Sequence, residues 1–100
     1  MNAEDLYPAL SQLLSCYFHQ DWELESASPR EAVDRFLRQE PREKAQRAAA
    51  DLDRLLAGDL DDAALSALLL DLGSSYDPAY DDLPARPWLR EVRSWLAVDP

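Results

Sequence analysis

Isoleucine and threonine are absent from this 100-residue sequence, and glycine occurs only twice. A chain so short of β-branched residues has little from which to build a sheet. The single cysteine, Cys16, excludes an internal disulfide. His19 is the only histidine. With Cys16 it would give just two soft ligands, so a structural zinc site would need carboxylates to complete it. Apolar runs never exceed a few residues, far short of a membrane span. The opening MNAEDLYPAL lacks a basic n-region, so it does not read as a secretory signal, and the cytoplasm is the expected location. Positive charge is scarce: ten Lys and Arg face twenty Asp and Glu, for a net charge of −10. That balance disfavours direct contact with nucleic acid or an anionic membrane and favours a basic partner.

What is present favours helix. Leu, Ala, Arg, Glu and Asp dominate, and 47% of the residues are hydrophobic, enough to bury a core. The expected fold is all-α: one domain over residues 1–100, a bundle of five short helices. The first runs from about Tyr7 to Phe18, with Pro8 in its first turn and Leu6, Leu10, Leu13, Leu14, Tyr17 and Phe18 on one buried face. SPRE, residues 28–31, starts the second: Ser28 caps, Pro29 takes the first helical position and Glu31 completes a capping box. The third begins near Pro41 and ends at Gly58, expected in the left-handed conformation; Ala45, Ala48, Ala49, Leu52, Leu55 and Leu56 form its stripe. Asp61 caps the fourth, which buries Leu65, Leu68, Leu69 and Leu72 and stops at Gly73. The short connection between the third and fourth predicts an antiparallel pair. Pro78 and Pro84 mark a loop, and the fifth helix, from about Pro87, buries Trp88, Leu89, Val92, Trp95 and Leu96.

Two stretches carry candidate function. YFHQDWE, residues 17–23, packs three aromatics, the only histidine and two carboxylates into seven positions. Cys16 and His19, three apart on a helix, are conceivable as a nucleophile pair, but no glycine-rich turn is present to supply an oxyanion hole. GDLDDAAL lacks the alternating acids and turn glycine of a calcium loop. No catalytic residue, metal site or cofactor site is therefore assigned. YFHQDWE reads as the corner between the first two helices, with Trp22 burying ring area and its N–H meeting an acceptor, and His19 and Asp21 satisfying polar groups there. The second stretch is acidic. Residues 51–85 carry nine acids and one base. In it, YDPAYDD interleaves tyrosine, which gives rigid contact area, with aspartates able to steer a cationic partner.

The order of these motifs resembles the small all-α immunity proteins of bacterial contact-dependent growth inhibition systems. Its most specific parts are YFHQDWE and LGSSYDP with the later PWLR. The resemblance spans about Leu6 to Leu96. It implies a non-enzymatic protein, monomeric when free, that binds and occludes the C-terminal toxin domain of a secreted effector, often a nuclease with a basic substrate surface. Under that reading Tyr17, Phe18, His19, Asp21, Trp22, Gly73 and Trp88 maintain the fold. The partner surface is expected at Asp59, Asp61, Asp62, Asp71, Tyr76, Asp77, Tyr80, Asp81 and Asp82. The alternative is an acidic helical adaptor that takes a partner helix in an apolar groove.

Overall fold

The computed structural model describes residues 3–76, 78 and 82–96. Among them are seven α-helices and no strand: α1 (Ala3–Leu6), α2 (Pro8–Tyr17), α3 (Trp22–Glu25), α4 (Pro29–Gln39), α5 (Arg42–Leu56), α6 (Asp62–Asp71) and α7 (Ala85–Leu96). The five predicted helices are there. The two additions, α1 and α3, have four residues each, too short for a periodic stripe to reveal. Leu6, expected in the first buried face, lies in α1 and is 45% exposed, because the chain breaks before Pro8.

Local chemistry fixes most helix ends. The Ser28 hydroxyl accepts the Glu31 N–H at 3.2 Å and Pro29 opens α4, although no return bond from the Glu31 side chain completes the capping box. The Asp61 carboxylate accepts the Ala64 N–H at 2.8 Å and starts α6. At the other end of α6, Gly73 has φ 104°. The Ser74 N–H reaches the Leu69 carbonyl and the Gly73 N–H that of Leu70, the paired bonds of a Schellman stop. A Cβ at Gly73 would also lie 2.8 Å from Ser15 Cβ on α2, so both backbone sign and space require glycine. Gly58 corrects its expectation. It does not have positive φ, and a Cβ there would meet only ordinary contact with the Leu55 carbonyl.

The termini of α2 and α5 are satisfied from a distance. Pro8 starts α2, whose Ala9 and Leu10 N–H groups both donate to Asp51 Oδ2 at 3.0 Å. Asp51 sits on α5, so a carboxylate more than forty residues away caps the helix. Carbonyls at the end of α5 and just after it go to Arg86. Its guanidinium donates to the oxygens of Leu56 (2.8 Å), Gly58 (3.2 Å) and Leu60 (2.5 Å), while its backbone N–H donates to Asp62 Oδ1 (2.9 Å). This grip turns the chain so that α6 packs against α7 and α1, and the antiparallel α5–α6 pair expected from the short connection does not form. Helix α5 lies instead against α2 and α7. Its Ala45, Ala48 and Ala49 are buried, which lets neighbouring backbones approach.

One apolar cluster joins these elements. Leu10, Leu13 and Leu14 of α2, Val33 and Phe36 of α4, Leu52 and Leu55 of α5, Leu65 and Leu69 of α6, and Leu89 and Val92 of α7 are all at most 2% exposed. At one end it becomes aromatic. Phe18, Trp22, Tyr76 and Trp88 meet with ring centroids 5.4–6.1 Å apart. Tilted and edge-on rings in this range gain more than their buried area alone.

Candidate functional site

YFHQDWE is the corner between α2 and α4. Phe18 ends α2 fully buried, and Trp22 opens α3 at 7% exposure. Contrary to expectation, the Trp22 N–H finds no acceptor among the described residues, and no buried side-chain nitrogen or oxygen among them lacks a partner; the indole nitrogen therefore keeps access to solvent. The ring lines an open groove of about 340 Å³ with Ser26, Pro29 and Tyr76. The Asp21 N–H donates to His19 Nδ1 at 3.0 Å. That assigns the imidazole proton to Nε2, which lies 2.5 Å from Glu25 Oε1. Asp21 contributes its backbone, while its carboxylate is exposed. Glu25 also pairs with Arg35 at 3.2 Å, and these contacts, the His19 bond first, hold its carboxyl below the usual range.

Tyr17 completes the corner on the α4 side. Its ring meets Phe36 edge-on, Arg35 lies over it, and its single hydroxyl proton is shared between Glu40 Oε2 and Gln39 Oε1, each 3.0 Å from the phenol oxygen. Burial, then the Glu40 carboxylate, push the phenol up to about 12 from the usual 10. A raised folded-state value stabilises the fold below the unfolded value and is lost as pH climbs through the folded one. Stability is therefore expected to fall between about pH 10 and 12, more steeply than in Tyr17→Phe, as measured by urea unfolding across that range. A profile identical in the two proteins would contradict the assignment.

This corner holds no reaction centre. Both His19 nitrogens are committed within it, whereas Cys16 is exposed with its sulfur 3.9 Å from the Ser15 hydroxyl. The Cys–His pair conceivable from the spacing is not made. No group of three or more metal-ligating side chains assembles among the described residues. No described helix is long and apolar enough to cross a membrane.

The charged groups divide by region. From the start of α3 to the end of α5 most acids have a cation: Glu25 with Arg35, Asp34 with Arg30, Glu40 with Lys44, Glu43 with Arg47, Asp51 with Arg54 and Asp53 with Arg93. Arg93 holds Asp53 through two bonds, at 2.8 and 3.1 Å, and lowers its pKa. From Leu55 to Ala85 the chain has no Lys, Arg or His at all. In that stretch Asp59, Asp71 and Asp82 are exposed and form no ion pair among the described residues. Asp61 and Asp62 are exposed too, although each already accepts a backbone N–H. Tyr76 leaves the expected contact surface: it is 5% exposed, with its ring against Phe18, Trp22 and Trp88. Asp77, Tyr80 and Asp81 lie outside the described residues.

Gly73 stops α6 with positive φ, and Trp88 is buried against Phe18 and Tyr76. Asp51 and Arg86 were missed. One signal for Asp51 existed, since an acid at position 51 falls among Ala48, Leu52 and Leu55 on the apolar stripe. Nothing in the sequence marked Arg86.

The structure is that of a small helical domain with an acidic stretch of surface and no cluster of metal-ligating groups among the described residues. Residues 6–96 match the family model described as CdiI immunity protein, and the chain belongs to that family. It acts by binding and is not an enzyme. It is also similar to a chain in the "Crystal structure of CdiA-CT/CdiI complex from Y. kristensenii 33638", with 33% identity, a TM-score of 0.85, and coverage of 91% of this chain and 98% of that one. A comparison with curated proteins returned no match.

Proposed function

We propose that this chain neutralises a cognate CdiA C-terminal toxin domain in the cytoplasm by covering its functional surface, and that it is a monomer until it does so. The observation that carries this reading is the likeness, over 91% of this chain, to one chain of a CdiA-CT/CdiI complex. The toxin is proposed to be a nuclease. A nuclease presents cations to phosphate, and a run of thirty-one residues without a cation, bearing exposed aspartates, supplies the complementary field.

Co-expression tests the function. The chain should restore growth to cells making the toxin domain encoded beside it, and should leave a non-cognate toxin active. Continued killing by the neighbouring toxin would refute the proposal. Purified toxin should degrade RNA or DNA, and stoichiometric addition of this chain should stop it. The steering role has its own measurement: Asp59→Lys with Asp71→Lys should slow association roughly tenfold at low salt and flatten its salt dependence. Association as fast as wild type at low salt would remove these residues from the path of approach.

A further inference from the structure

Helix α6 differs from its neighbours on the side that faces away from the core. The exposed positions of α5 are Arg42, Glu43, Gln46, Arg47, Ala50, Asp53 and Arg54, polar in all but one case, and those of α7 include Arg90 and Glu91. The sequence of α6, DAALSALLLD, has one polar residue, the half-buried Ser66, between its terminal aspartates. Its inner stripe, Leu65 and Leu69, is buried. Its outer stripe is Ala63, Ala67 and Leu70, at i, i+4 and i+7, and all three are exposed. Leu70 is 53% exposed, and Leu60, just ahead of the helix, is 41% exposed. A helix with so little polar surface normally lies buried, yet this one leaves its outer apolar stripe exposed. Asp59 stands at one end of the stripe and Asp71 at the other, both without an ion pair among the described residues.

We propose that this outer face of α6 is the centre of the toxin interface, with Leu70 and Leu60 as apolar anchors inside an acidic rim. The inference rests on the immunity reading above and adds to it the part of the surface that determines affinity. The rim selects the occupant. A second copy would bring Asp59 and Asp71 against the same aspartates, whereas a cationic toxin surface would pair with them as the leucines enter an apolar pocket. Anchors and rim then act on different rates. Desolvated apolar anchors govern how long a complex lasts, and exposed charges govern how fast it forms.

The test measures both rates for the toxin domain encoded beside this chain. Leu70→Arg should weaken binding about 30-fold or more through faster dissociation. Ala67→Glu, a second lesion on the stripe, should do the same. Both sites are exposed, so thermal unfolding of the free variants should match wild type. Leu24→Arg, at an 85% exposed leucine on α3, is the control and should bind normally. If Leu70→Arg and Ala67→Glu bind like wild type, the face is wrong, while wild-type binding and rescue still uphold immunity. Loss in Leu24→Arg alone would move the interface to the α3 corner. If wild type shows a monomer–dimer equilibrium that Leu70→Arg abolishes with toxin affinity unchanged, the face belongs to a second copy and the proposal falls. If wild type binds no toxin, the immunity reading fails and this inference with it.

Discussion

Phe18→Ala is expected to lower the unfolding free energy by about 4 kcal/mol, within the range for emptying a buried phenylalanine site. The ring is fully buried and touches three others, Trp22, Tyr76 and Trp88, from three separate segments of the chain. Those partners belong to the helices and loop that close one end of the core, so they cannot collapse into the space without moving backbone. Small domains have roughly 5–15 kcal/mol in total, so the loss is a large fraction of the whole stability. Urea unfolding should show a lower midpoint, and thermal unfolding a fall of more than about 15 °C. A variant within about 1 kcal/mol of wild type would show that the aromatic end is not a principal support of the fold.

Asp51→Ala is expected to cost about 3 kcal/mol, for a different reason. The substitution removes two bonds from a charged acceptor to the α2 N-terminus and leaves the Leu10 N–H inside the protein with nothing to receive it. It also releases the Arg54 guanidinium, which otherwise spans the Asp51 carboxylate and the Leu6 carbonyl. Asp51→Asn, which keeps an acceptor oxygen but loses the charge, should lose less. Arg54→Ala should lose less than about 1 kcal/mol, because that side chain is largely exposed. Equilibrium unfolding of the three variants ranks them. An Arg54→Ala loss as large as that of Asp51→Ala would mean the ion pair, rather than the cap, holds α2 to α5.

These two residues also show where sequence reasoning reached and where it stopped. Phe18 was legible because apolar spacing along one helix predicts a buried face. The starts of α4 and α6 and the stop at Gly73 were legible because each rests on atoms within a few residues of one another. Asp51 and Arg86 act on backbone groups of distant segments, and no local pattern encodes such a meeting. The misplaced α5–α6 pairing has the same origin, since the grip of Arg86 on Leu56, Gly58 and Leu60 overrides the geometry that a short connection implies. The candidate surface was legible as charge, because an unbroken acidic stretch needs no tertiary information. Its apolar component was not. The spacing of Leu65, Leu68, Leu69 and Leu72 left Leu70 off the buried stripe, but a single leucine off a stripe does not by itself mark a contact surface.

The place of α7 has a consequence for when protection can begin. Trp88, Leu89, Val92 and Leu96 are buried where this helix packs on α4, α5 and α6, and Arg86 at its start organises the connection between the last two. As the chain emerges from the ribosome, everything through α6 is made while its central packing partner is still missing. The nascent protein must hold open apolar surface until residues 85–96 arrive, and a fragment ending at α6 would be prey to proteases and aggregation. The cell's supply of defender is therefore set by completed chains, and a newly made molecule gains its shape, and with it any grip on a toxin, only after its seventh helix is out.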